Sequence, residues 1–181
     1  MTASPCTTCD GICCRTYSIE VTAFDIRRIA EGTGVAPEQF CSTIPSWAGR
    51  CAIAPSRIDG ALVNIVLRQS AAKACLFYVG GNKACGIYAH RPRSCSIYPF
   101  RVGIRYVALL RNTVPCPSPW DSKIHAIDMP MQLALLEDEI RIHNRVSDML
   151  DKEAVGEYGV AAFLRRLLAG VALELKKSRS G

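Results

Sequence analysis

Cys6-Thr7-Thr8-Cys9-Asp10-Gly11-Ile12-Cys13-Cys14 places four sulfurs within nine residues, with a glycine that lets the backbone fold back between them. Two cysteines separated by two residues can direct both sulfurs at one ion about 2.3 Å away, while the intervening N–H groups face the thiolates. Cys9 to Cys13 is one residue longer and still within reach. Adjacent side chains diverge, so Cys13 and Cys14 are expected to serve two centres, or one centre and one core position. A chain built on such a knuckle is expected to be an irregular α+β domain of short strands and helices held together by metal.

Outward from that stretch, Cys75, Cys85, Cys95 and Cys116 are spaced as loops and strands space them. Among them runs Gly86-Ile87-Tyr88-Ala89-His90-Arg91-Pro92-Arg93-Ser94-Cys95-Ser96-Ile97-Tyr98-Pro99-Phe100. Its prolines argue against a regular helix. Arg91, Arg93 and Arg101 stand where they can compensate thiolate charge. Pro117 follows Cys116, as proline follows cluster-ligating cysteines in some ferredoxins. Cys41 and Cys51 fall outside the pattern and read as small buried hydrophobes.

The rest of the composition is that of an ordinary folded chain. It has 181 residues, 49% of them hydrophobic and 21% charged, enough to close a core and too apolar for disorder. Mean hydropathy is +0.13, and the apolar carboxy-terminal stretch is interrupted by Arg165, Arg166 and Glu174, so no membrane span is expected. Met1-Thr2-Ala3-Ser4-Pro5 lacks the basic and apolar regions of a secretory signal, and the expected location is cytoplasmic. In that reducing compartment ten cysteines point to metal or catalysis before disulfides. The formal charge of +6 counts every thiol as neutral. Eight thiolates on two divalent ions would bring it to about +2, so the excess of basic residues is not read as a nucleic-acid signal.

The order CxxC, CC, Cys75-Leu76-Phe77, Cys85-Gly86-Ile87-Tyr88, Arg91-Pro92, Cys95 and Tyr98-Pro99-Phe100 resembles the YkgJ-type cysteine-cluster family, associated with zinc or iron chelation. The resemblance covers about residues 6 to 116, with one departure: three residues separate Cys9 from Cys13 where the commoner form has two. It implies that Cys6, Cys9, Cys13, Cys14, Cys75, Cys85 and Cys95, with Cys116 as an eighth, form the chelating set. Related modules occur beside flagellin lysine methylation. That context implies the alternative of an iron-sulfur redox or accessory component of a protein-modifying enzyme.

Tyr17 to Val21 alternates and predicts a strand; Thr22 caps a helix over Ala23 to Glu31 that Gly32 ends. Pro37 to Thr43 predicts a second short helix, and Ala61 to Leu67 and Ile104 to Leu110 predict strands. From Asp128 the pattern turns helical, with Leu133, Leu136, Ile140, Val146 and Leu150 on one side. Beyond Gly156 and Gly159, Val160, Phe163, Leu164, Leu167, Leu168, Val171 and Leu175 form an amphipathic stripe. The division is therefore a cysteine-cluster metal-binding domain over 1–120 and a carboxy-terminal helical hairpin over 121–181. The stripe serves the hairpin's own packing or docks a protein partner. His90 reads as a hydrogen-bond donor to a thiolate, and Tyr88 and Tyr98 in the same way. His125 and His143 read as ordinary, the latter on a charged face near Arg141 and Arg145. No phosphate loop, nucleophile elbow or HExxH occurs, and no catalytic residue is assigned. The expected cofactor is zinc or iron, an iron-sulfur cluster included; all-thiolate ligation suits each.

Overall fold

The computed structural model describes residues 11–46, 52–80, 84–103, 106–109, 128–153 and 159–180. Its elements are α1 (Ile12–Thr16), α2 (Ala23–Thr33), α3 (Pro37–Phe40), β1 (Cys41–Pro45), β2 (Ser56–Ile58), β3 (Ala61–Leu67), β4 (Tyr78–Val79) and β5 (Ala84–Cys85). A 3-10 turn at Tyr88–His90 follows, then α4 (Arg93–Ile97), β6 (Phe100–Gly103), β7 (Tyr106–Leu109), α5 (Met129–Glu153) and α6 (Val160–Ser180). This is the mixed α+β architecture expected, with short antiparallel pairs and a carboxy-terminal helical region.

The branched run of β3 makes it the central strand of a β1-β3-β2 sheet. Cys41 faces Leu67 and Thr43 faces Ile65 across the β1–β3 pair, so Cys41, Ile65 and Leu67 share one face of the sheet. All three are buried in the core, which accounts for Cys41 as a packing residue. On the opposite edge β2 pairs with Ala61, Leu62 and Val63. Beyond it the extended Ile19–Val21 stretch takes over: Val21 N–H donates to Ile65 O at 3.2 Å and Leu67 N–H to Ile19 O at 2.8 Å. The strand expected over Tyr17 to Val21 is thus an extended segment with one bridge, Glu20 to Val66.

Thr22 caps α2 in a reciprocal box with Asp25, but Gly32 does not end that helix. It continues to Thr33 and closes at Gly34, whose φ of 72° is the left-handed cap. Gly32 is needed for another reason: a Cβ there would overlap the His90 ring. The helix expected over Pro37 to Thr43 is a single turn, because residues 41–45 are claimed as β1 by pairing with β3. Ile104, Arg105 and Leu110 of the strand expected over 104–110 lie outside the described residues.

The two long helices close the core. Phe163, Leu164, Leu167 and Val171 of α6 and Val146 and Leu150 of α5 join Val21, Ile26, Ile29 and Phe40 in one cluster. The apolar stripe of α6 is therefore largely spent inside the molecule. Leu173, which lies off that stripe, is exposed at 58%. The helices approach closely at Gly170, where a Cβ would press on Val146. Leu133, Leu136 and Ile140 are only half-buried; the fully buried side of α5 carries Glu139, His143, Val146, Ser147 and Leu150. Among the described residues no helix is long and apolar enough to cross a membrane.

His143 corrects its expectation. It is 1% exposed, and its Nδ1 accepts a hydrogen bond from Ala23 N–H at 3.0 Å, satisfying one of the open amides at the start of α2. Desolvation pushes its pKa down from 6.5 to about 4, so it is neutral near pH 7.

Candidate metal centre

Four separate segments deliver sulfur to one cavity of about 370 Å³. Cys13 and Cys14 ride on α1, which begins after Gly11 at φ 68°. That conformation suits glycine, and any Cβ there would also overlap the Tyr78 ring, so the knuckle can turn only with glycine at this point. Cys75 follows a tight turn and is tied to the knuckle through its N–H, which donates to Cys14 O at 2.7 Å. Cys85 ends the β4–β5 hairpin opposite Tyr78. Cys95 sits in the single turn of α4, which fits between Pro92 and Pro99, so the proline-rich stretch is less irregular than expected.

Cys13, Cys14, Cys75, Cys85 and Cys95 all line this cavity, with Tyr78, Tyr88, Tyr98 and Arg91 around them. All are free thiols, as is Cys41, which lies in the core away from the cavity lining. The expected divergence of Cys13 and Cys14 is partial. Their sulfurs are 4.0 Å apart and both side chains reach the cavity, while Cys14 also packs against the core. Cys6, Cys9 and Cys116 lie outside the described residues, as does Cys51.

The electrostatics of the cavity oppose ionisation of its thiols. Burial pushes up the thiols of Cys75, Cys85 and Cys95, and a negative charge on Cys13 would raise each of them further. Cys13 is itself pushed up, first by its contact with Cys14 and then by burial. Among the described residues, Cys85 of these four thiols is offered a nearby positive charge, that of Arg91. The Arg91 guanidinium lies 3.7 Å above the Tyr88 ring, and its Nη1 donates to Tyr88 O at 2.9 Å. Its Nε is buried and has no hydrogen-bond partner among the described residues. Thiols whose ionisation is opposed by burial and by one another, beside an N–H donor and a largely apolar wall, are surroundings in which a bound cation would stabilise thiolates. Among the described residues, no three Cys, His, Asp or Glu side chains already stand as a set that could hold one metal ion. The thiols converge on the cavity without being drawn to a single point.

Sequence reasoning missed the carboxylates behind the sulfurs. Asp25 lines the cavity, is almost wholly buried, and accepts from Thr22 N–H at 3.0 Å and Arg93 N–H at 2.9 Å. Desolvation raises its pKa against these hydrogen bonds and the nearby Arg28 charge. Asp25 fell inside the helix expected after Thr22, and nothing local linked it to Cys95.

Fold and cavity together define a small α+β domain in which five cysteines, drawn from four separate segments, line one cavity. Residues 5–117 match the family described as "CxxCxxCC: Putative zinc- or iron-chelating domain", and the chain belongs to that family of metal-binding domains. No curated protein and no solved structure matches the chain.

Proposed function

We propose that the protein binds zinc or iron through Cys13, Cys75, Cys85 and Cys95, with Cys6, Cys9, Cys14 and Cys116 completing the ligand set. The observation that carries this reading is the shared cavity lined by thiols from α1, the Cys75 turn, β5 and α4. Four thiolates around zinc leave no open position for water, so the metal supports the fold and performs no hydrolysis. In this reading residues 1–120 are the metal-binding unit, residues 121–181 are the hairpin that buttresses it, and the protein works in the reducing cytoplasm.

A second reading has the same thiols hold an iron-sulfur cluster, making the protein a redox or accessory component of a protein-modifying enzyme. The number of sulfur ligands supports it, since eight cysteines suffice for two four-cysteine centres. An interaction role for the last helix would rest on its exposed Leu173. Metal content measured on the wild type and on Cys13→Ser and Cys95→Ser tests the ligand assignment. Loss of a whole equivalent of metal in each variant is the expected result, and unchanged metal content would refute it.

A further inference from the structure

We propose that the carboxy-terminal hairpin is part of the metal centre's support, with Glu139 of α5 as a positioning residue that holds Cys95 in place through Arg93. The inference rests on the ligand reading given above. It goes beyond it because Glu139 lies outside residues 5–117, the segment that the family accounts for.

Cys95 has little to hold it locally. Its helix is five residues long and has no side-chain cap of its own. A single turn of that length is not stable by itself. What fixes α4 is Arg93, two residues before the sulfur. Its N–H donates to Asp25 Oδ1 of α2 at 2.9 Å, so the turn's first amide is satisfied by another helix. Its guanidinium donates from Nε and Nη2 to Glu139 Oε1, at 3.0 and 2.6 Å, and from Nη1 to Gln132 Oε1 at 2.8 Å. Arg28 joins the two carboxylates, pairing with Asp25 and reaching Glu139 Oε1 at 3.5 Å.

Three helices thus meet on one arginine, and the contact is shielded. The Arg93 side chain is 17% exposed and that of Glu139 10%. A buried charged pair that loses one partner leaves an uncompensated charge, so removing Glu139 frees Arg93 to reorient toward water and releases the turn that carries Cys95. A thiolate displaced in this way binds metal more weakly, as is usual when the groups supporting a ligand are removed.

The test is titration of the metal-depleted full chain with cobalt(II), read by the thiolate-to-cobalt absorption and by competition with zinc(II). Glu139→Ala should weaken metal binding by about tenfold or more and alter the cobalt spectrum. Glu139→Gln keeps an oxygen acceptor at the same reach but not the charge that balances Arg93 and Arg28, so it should recover part of the affinity lost in Glu139→Ala. Gln132→Ala removes one acceptor and should show a smaller loss of the same sign, which keeps the inference testable if Glu139→Ala does not fold. Glu153→Ala, at the other end of α5, removes a surface pair with Arg166 of α6 and should leave affinity and spectrum unchanged. Wild-type affinity and an unchanged spectrum in both Glu139→Ala and Gln132→Ala would overturn the inference. A wild-type chain that binds neither cobalt nor zinc would instead overturn the ligand reading on which it stands.

Discussion

Replacing His143 with asparagine should remove a pH dependence of stability whose size follows from the structure. His143 is buried and accepts from Ala23 N–H, and its pKa falls from 6.5 to about 4 through desolvation. The folded value is the lower one. As pH falls below 6.5 the unfolded chain therefore takes up a proton that the folded chain refuses, and stability is lost until about pH 4. At about 1.4 kcal/mol per pH unit, the interval from 6.5 to about 4 amounts to about 3 kcal/mol. Asparagine presents an amide oxygen close to the position of Nδ1 and does not titrate, so His143→Asn keeps an acceptor for Ala23 N–H without the proton-linked loss. The assay is urea unfolding of both proteins at a series of pH values between 7.5 and 3.5. Groups common to both, including Asp25 and the thiols, cancel in the difference. The stability difference, wild type minus variant, should fall by about 3 kcal/mol from neutral to acid pH. A difference that stays constant across this range would refute the reasoning, as would a directly titrated His143 pKa near 6.5.

The thiols give a second pH signature, whose sign depends on the metal. In metal-depleted protein Cys13, Cys75, Cys85 and Cys95 are pushed above the ordinary thiol range, so above about pH 8.5 the unfolded chain gives up protons that the folded chain keeps. Stability should then fall by up to about 1.4 kcal/mol per pH unit per thiol. In loaded protein the folded thiols are already deprotonated and stability should rise with pH up to about 8.5; parallel curves for the two forms would contradict this account. Gly11→Ala should destabilise more than Gly60→Ala in thermal unfolding. Both glycines have positive φ, at 68° and 76°, but only Gly11 lies against a side chain, that of Tyr78, so equal losses would show that the contact is unimportant. Cys95→Ser should lower bound metal by a whole equivalent while Cys41→Ser, in the core, should not; equal metal content in the two would remove Cys95 from the ligand set.

The parts of this molecule legible in its sequence are those fixed by local pattern. The cysteine order announced the family, Ala61 to Leu67 matched β3 end to end, and the helical periodicity after Asp128 located both long helices. What local pattern could not show was decided by partners far along the chain. Gly32 looked like a helix stop because nothing nearby revealed that His90 would pack on it. Residues 41–43 looked helical because their partner strand lies more than twenty residues away. His143 looked like a surface residue among arginines, and its role exists only because the start of α2 meets α5. The same holds for the candidate site. The sulfurs were legible, while the Asp25, Arg93 and Glu139 network behind them depends on three helices converging.

The most direct test of metal binding is elemental analysis, with an absorption spectrum, of protein purified without oxygen and without added metal. At least one equivalent of zinc or iron per chain is expected: zinc without colour, or iron with acid-labile sulfide and a broad visible band for the cluster reading. A folded protein carrying neither metal would contradict it.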